Sequence, residues 1–228
     1  MGTVEQQPAT YDQLYMSGGY DAIYHLPYWR SQYYPLFKSI LSQLKRLNAS
    51  SVLDVGCGNG AFGHMCLDKA RFDYRGFDFS PVAISMAIQC TSRPDLFKVG
   101  DATKPSSYGD SFDAVVCSEV LEHLTNDLDV VGAWPRGTKC VCSVPNFDSR
   151  YHERYFKSCE DVRLRYGEVI DIDRVLEVPV PALSDLAIRQ VLKSIRRSFP
   201  NPRKMLASIG FSRLVSTRKW FVFTGAKR

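Results

Sequence analysis

Long apolar runs are missing from this chain of 228 residues. No stretch approaches the roughly 18 residues that a membrane-spanning helix needs, so no spanning segment is expected. The opening residues, MGTVEQQPATYDQ, have neither a basic start nor an apolar core, and no secretory leader is expected from them. Cysteine is present but unorganised: seven residues with no Cys-x-x-Cys spacing. An odd, scattered set argues against a disulfide framework and for reduced thiols in a cytoplasmic protein. Cys140 and Cys142 lie on one face of a strand-like run, poorly placed to bond each other. Histidine is scarce, with only His25, His64, His123 and His152, which narrows the search for a proton acceptor. Charge is nearly balanced, at a formal net +5, and by itself selects no class of partner.

What is present is a glycine turn around which the chain is organised. Residues 52–60 read VLDVGCGNG, and residues 61–70 then have a helical pattern. A buried strand, a tight turn and a helix start follow. Gly56, Gly58 and Gly60 remove side chains where the backbone bends and a ligand comes close. The free N–H groups of the next helix face that ligand. The Gly56-x-Gly58-x-x-Ala61 spacing also fits the dinucleotide fingerprint, a weak signal alone. Asp54 shifts the balance. Two residues before the first glycine, a carboxylate would face a pyrophosphate, whereas a cofactor carrying an ammonium and a sulfonium favours it. S-adenosylmethionine is therefore the expected cofactor, ahead of a nicotinamide dinucleotide.

Alternating elements follow. Residues 35–47 form a helix by their 3–4 spacing of apolar residues. A second strand, 72–79, ends at Asp78 and Phe79, and Ser80-Pro81 opens a helix. Asp78 can accept from both ribose hydroxyls of an adenosyl group, or serve as a dipole partner for that helix. A third strand, 96–99, leads into Asp101-Ala102; Asp101 reads as an adenine contact or as a surface turn. Strands at 112–117 and 139–144 flank a short helix at 127–134. Strands alternating with helices predict a doubly wound, Rossmann-like, mostly parallel sheet. Near the end, a helix at 202–209 and two runs, 211–216 and 219–224, are expected, the runs pairing antiparallel around Thr217-Arg218.

Taken together, VLDVGCGNG, GFDFS, VGDAT, FDAVVCSEVLEHL and CSVPN resemble the class I S-adenosylmethionine-dependent methyltransferases, over roughly residues 36–156 and 202–226. The resemblance implies a seven-stranded sheet with an antiparallel last strand, helices on both faces, and S-adenosylhomocysteine as product. It implies that Asp54, Gly56, Cys57, Gly58 and Gly60 line the methionine part, that Asp78 and Phe79 hold the ribose, that Asp101 and Ala102 flank the adenine, and that Ser118 and Glu119 sit beside the methyl group. Residues 157–200 look like an insertion for substrate or interface use within a domain at 35–228. Residues 1–34, crowded with tyrosine, read as an aromatic lid or as rings packing a loose start onto the domain.

Methyl transfer from a sulfonium is an in-line displacement in which positioning matters most. An oxygen or nitrogen acceptor still has a proton to lose, and histidine suits that work. His123 and His152 follow the fourth and fifth strands, at the rim where ligands bind; His64 reads as packing. If helical, Glu119, Glu122 and His123 share one face. With His152 they have the makings of a divalent metal site, similar to that of small-RNA 3′-terminal 2′-O-methyltransferases and some ubiquinone-pathway O-methyltransferases. The same residues are also architectural in metal-free relatives, and no metal is assigned. The expected catalytic residues are His152, Glu119 and His123.

The expected function is methyl transfer to a small molecule, at oxygen rather than nitrogen, by a monomer or homodimer. Six basic residues without an acid between Arg189 and Lys204 leave an RNA 3′-end acceptor as the alternative. An NAD-dependent oxidoreductase and a catalytically silent cofactor-binding scaffold are the other rivals.

Overall fold

The computed structural model describes residues 8–19, 24–70, 72–109, 112–181 and 217–228. Seven strands form one sheet: β1 (Ser51–Val55), β2 (Asp73–Asp78), β3 (Phe97–Val99), β4 (Ala114–Ser118), β5 (Lys139–Pro145), β6 (Ile170–Pro179) and β7 (Lys219–Lys227). Their order is β3-β2-β1-β4-β5-β7-β6. The first five pair in parallel, and β7 runs antiparallel between β5 and β6. The helices are α1 (Pro8–Met16), α2 (Tyr34–Arg46), α3 (Ala61–Lys69), α4 (Pro81–Gln89), α5 (Asp127–Gly132) and α6 (Cys159–Tyr166).

Alternation along the central strands sorts side chains onto two cores. Val52, Val116, Val141 and Val222 face α2, α3 and α4, with Leu36, Ile40, Phe62 and Ile84 packed on them. Leu53, Val55, Val115, Cys117 and Phe223 face the other way, against Val130, Val162 and Tyr166. Cys140 and Cys142 lie together in this second core as free thiols. Strands covered on both faces read as near-continuous apolar runs, which is why β1 and β4 are recognisable from sequence.

Two expectations change. The sequence pairs β7 with the run at 211–216, which lies outside the described residues, as does the helix expected at 202–209. Both hydrogen-bonding edges of β7 are instead taken by β5 and β6, and a strand has only two edges. Residues 159–179 of the expected insertion supply α6 and that outer strand β6, so they belong to the sheet itself. The basic run between Arg189 and Lys204 also falls outside the described residues.

Candidate active site

A cavity of about 710 Å³ opens at the C-terminal ends of β1, β4 and β5. Asp54, Gly56, Cys57 and Gly58 line one end, and Ser118, Glu119, Glu122, His123 and His152 line the other. This is where ligands bind in open α/β sheets.

The glycine turn is held tightly. Gly56 and Gly58 have φ of +73° and +55°, in the left-handed region. A Cβ on Gly56 would come within 2.3 Å of Val120 Cγ2, and one on Gly58 within 2.8 Å of the Tyr15 hydroxyl. A Cβ on Gly60 would meet Ala87 and Phe97 instead, so this third glycine serves packing at the start of α3. Asp78 bridges the turn to the next helix, accepting from Gly58 N and Ser80 N at 2.9 Å each. Burial raises its carboxyl to about 6, against those hydrogen bonds. Asp54 is 3% exposed and accepts from Tyr74 OH at 2.7 Å. Burial pushes it up to about 7, again against the hydrogen bond. Bare backbone beside the Asp54 carboxylate fits a cofactor that carries cationic centres.

Asp101 and Ala102 do not line this cavity. Asp101 accepts from Thr103 N and Oγ1 at 2.8 and 2.7 Å, and the Ala102 carbonyl accepts from Tyr108 OH. Phe79 faces Tyr11, ring centroids 5.1 Å apart.

The start of the chain lies over the turn. Tyr11, Tyr15, Tyr24 and Tyr33 line the cavity. Ser80 Oγ donates to Asp12, and Asn59 Nδ2 donates to the Tyr24 carbonyl at 2.6 Å. Tyr28 and Tyr34 instead join the core side of α2. His25 and His64 stay outside the site: His64 packs by its Nε2 against the Ala87 carbonyl at 3.0 Å.

Glu119, Glu122 and His123 do not share a helix face. Only Leu121–His123 make a short 3-10 turn, and Glu119 has φ +57°. The Glu119 carboxylate accepts from Ser143 Oγ at 3.0 Å, and Ser118 Oγ lies 2.9 Å from the same hydroxyl. Burial lifts Glu119 to about 8, opposing the Ser143 bond.

Glu122 is fully buried, and neither carboxylate oxygen has a hydrogen-bond partner among the described residues. Its Oε1 stands 3.7 Å from His123 Nε2. His123 Nδ1 meets the Tyr151 carbonyl at 2.7 Å, and His152 Nδ1 meets the Phe147 carbonyl at 3.2 Å. A carbonyl only accepts, so each Nδ1 carries the proton and each Nε2 lone pair is open. Burial lowers His123 to about 4 and depresses His152 below its usual value, so both rings are neutral at neutral pH. One ligand atom from each of Glu122, His123 and His152 lies within 4.8 Å of the others, a donor set suited to a divalent cation. Glu119 is not in that group.

Sequence reading does not single out Phe147, Arg150, Arg218 and Trp220, all of which line the cavity. Their signals are weak: lone aromatics and arginines at strand ends and in a loop look like ordinary packing or surface.

The methyltransferase domain family matches residues 28–173, and the chain belongs to it. With this fold, that makes it a class I, S-adenosylmethionine-dependent methyltransferase. Among curated proteins it is similar to two named ubiquinone biosynthesis O-methyltransferase. One, from Dechloromonas aromatica (strain RCB), is 29% identical over 46% of this chain and 47% of the relative. The other, from Hydrogenovibrio crunogenus (strain DSM 25203 / XCL-2), is 23% identical over 46% and 45%. The matched segment spans under half the length of these relatives. Among solved structures it is similar to the N-methyltransferase NodS from Bradyrhizobium japonicum WM9 in complex with S-adenosylhomocysteine. That likeness has a TM-score of 0.52 and 18% identity, over 82% of this chain and 84% of that one. Among the described residues, no helix is long and apolar enough to cross a membrane.

Proposed function

We propose that this methyltransferase acts on an oxygen of a small-molecule acceptor, with His152 taking the acceptor's proton. The observation that carries the reading is the pair of imidazoles, His123 and His152, edge-on to each other, each held at Nδ1 by a backbone carbonyl and both lining an aromatic-walled cavity beside the glycine turn. The names of the two curated relatives support oxygen over nitrogen. Asp54, Gly56 and Gly58 would hold the methionine part of S-adenosylmethionine, and Asp78 its ribose. Bound there, it supplies a methyl group on a sulfur that leaves without needing a proton.

The chain's residues do the rest. His152 Nε2 accepts the hydroxyl proton as the oxygen becomes nucleophilic. His123, edge-on to His152, fixes that ring, while Glu119 and Ser118 shape the wall opposite. Tyr11, Tyr15 and Tyr24 exclude water from the cofactor end. Free thiols at all seven cysteines support a cytoplasmic location. Membership of the methyltransferase family removes the nicotinamide reading.

The test is incubation with methyl-labelled S-adenosylmethionine and two acceptor sets, catechol-type small molecules and a 3′-hydroxyl RNA oligonucleotide. Label is expected in the small molecules. Label in the RNA alone would replace this reading with the RNA one.

A second reading rests on the Glu122–His123–His152 donor set. Its members would hold a divalent cation that acidifies the acceptor hydroxyl, and His152 would be a ligand rather than the base. Emission spectroscopy of the purified protein and turnover in a chelator separate the two. Undiminished turnover with no bound metal keeps His152 as the base.

A further inference from the structure

We propose that Tyr74 is a positioning residue for the cofactor, its buried hydroxyl aiming the Asp54 carboxylate at the cationic methionine end. This rests on the reading above that Asp54 holds the methionine part of S-adenosylmethionine. Tyr74 itself does not line the cavity; it acts through Asp54, which does.

Tyr74 lies on β2, and its hydroxyl donates to Asp54 Oδ2 at 2.7 Å. Both side chains belong to the interior. Burial and the adjacent carboxylate hold the phenol well above its usual range, so it keeps its proton and is the donor. The ring is held by Phe97, with centroids 5.8 Å apart, and by Phe62 at 6.5 Å. Its hydroxyl therefore has a fixed place. The bond occupies Oδ2 and leaves Oδ1 for the cavity that Asp54 lines.

Two glycines make room for the phenol. Gly76 is the register partner of Asp54 in the parallel pair of β1 and β2, so a side chain there would stand beside the carboxylate on the same face. A Cβ at Gly76 would come within 2.8 Å of the Tyr74 hydroxyl, and one at Gly63 within 2.7 Å. Gly63 sits inside α3 and Gly76 inside β2, where glycine weakens a helix or a strand. Neither has a positive φ. Backbone conformation does not call for glycine at either position, whereas the path of the hydroxyl to Asp54 does.

Few groups set the charge at Asp54. Burial raises its carboxyl to about 7, the Tyr74 hydrogen bond opposes that rise, and Asp78 on β2 adds to it. Among the described residues, the other titratable groups that feel Asp54 are thiols: Cys57 in the glycine turn, Cys66 on α3 and Cys117 on β4. Burial holds all three well above their usual range, so they stay neutral. Without the phenol, Asp54 would keep its proton to higher pH and lose the contact that orients it. A hydrogen bond to an ionised group is strong enough to move that titration by about one pH unit.

The probe is S-adenosylhomocysteine, which keeps the ammonium and has no methyl group to transfer, titrated by calorimetry between about pH 7 and 9. Tyr74→Phe removes the hydroxyl and keeps the ring. The ratio of wild-type to variant affinity should be about fivefold at pH 7, about twofold at pH 8 and close to one at pH 9, as Asp54 ionises in both proteins. In an Asp54→Asn background the same substitution should change affinity by less than about twofold. Gly63→Ala suits a helix, keeps the phenol and crowds its hydroxyl. It should give the same falling ratio, and it carries the test if Tyr74→Phe does not fold. The second readout is an infrared difference titration of the unliganded protein, following the protonated-carboxyl band that Asp54→Asn removes. Its midpoint should rise by about one pH unit in either Tyr74→Phe or Gly63→Ala. A ratio that is constant with pH, or that persists in Asp54→Asn, reports lost packing and overturns the proposal, as does an unmoved midpoint. A raised midpoint with S-adenosylhomocysteine affinity indifferent to Asp54→Asn would sink the placement of the methionine part at Asp54, and leave the hold of Tyr74 on that carboxylate standing.

Discussion

The His152 ring stands edge-on to the His123 ring, with centroids 4.9 Å apart and planes at 75°. Each ring is oriented by a backbone carbonyl on its Nδ1. These carbonyls belong to Tyr151 and Phe147, in the loop after β5, so that loop aims both imidazoles at once. General-base catalysis is worth about 10²–10⁴ in rate. His152→Ala should therefore lower kcat by about 10²-fold or more. Affinity for S-adenosylhomocysteine, measured by calorimetry, should stay within about twofold, because His152 lies at the acceptor end. Wild-type turnover would remove His152 from the chemistry.

Asp54 links cofactor binding to pH. Its carboxyl titrates near 7 in the folded protein, raised by burial, and near ~3.9 in an unfolded chain. Only the ionised form attracts a cationic cofactor. Affinity for S-adenosylmethionine should rise with pH, by up to about tenfold per unit between 6 and 7, and flatten above. Folding stability without cofactor runs the other way: the folded state holds the extra proton, so the Asp54 contribution is complete below about 4 and lost as pH rises through 7. Asp54→Asn should remove the Asp54 part of both dependences, leaving in each a transition near 6 from Asp78, whose carboxyl burial also raises. Calorimetry and thermal melts from pH 5 to 8 check it; an affinity that is flat with pH in the wild type contradicts it.

The strand–turn core of the site is legible in the sequence because its causes are local. Asp54, Gly56 and Gly58 advertise themselves by residue type, and burial on both faces makes the central strands apolar throughout. The partner of β7 is not legible, because strand pairing depends on which chain segment reaches an edge. The run at 211–216 reads as strand-like, and so does the longer run at 168–181, so the local pattern does not choose between them. Glu119 misleads for a different reason. Its spacing to Glu122 and His123 fits a helix, yet the chain turns at Glu119 with positive φ, and the Ser143 hydroxyl receives its backbone N–H and donates to its carboxylate. A tertiary contact from β5 overrides the local pattern.

Gly58 tests the covering role of α1. Gly58→Ala adds a Cβ at φ +55°, against the Tyr15 hydroxyl. Gly137 has φ +83° and open space around its Cβ position, so Gly137→Ala isolates the backbone strain of about 1–2 kcal/mol. Gly58→Ala should destabilise by more than this control and weaken S-adenosylhomocysteine binding at least tenfold, while Gly137→Ala leaves that binding unchanged. Equal affinities in the two variants would mean that the Tyr15 contact is incidental.

Arg154 should act on catalysis without touching a ligand. Its guanidinium donates to the carbonyls of Leu121, at 2.8 Å, and Leu124, and it pairs with buried Asp127 at 3.2 Å. Its own N–H, at 3.3 Å, and that of Glu153, at 2.7 Å, reach the Glu122 carbonyl. The turn carrying Glu122 and His123 is thus clamped to the loop carrying His152. Asp127 keeps Arg165 at 2.6 Å and Tyr166 at 2.9 Å as partners, so Arg154→Ala would not leave that buried charge alone. Most of the loss should fall on kcat, about tenfold or more, through slippage of the two rings, with S-adenosylhomocysteine affinity nearly unchanged. Arg154→Lys keeps the charge but lacks the planar fork for two carbonyls, and should rescue stability in a thermal melt without restoring turnover. A lysine variant with wild-type kcat would show that charge alone suffices and that the fork does not set the ring geometry.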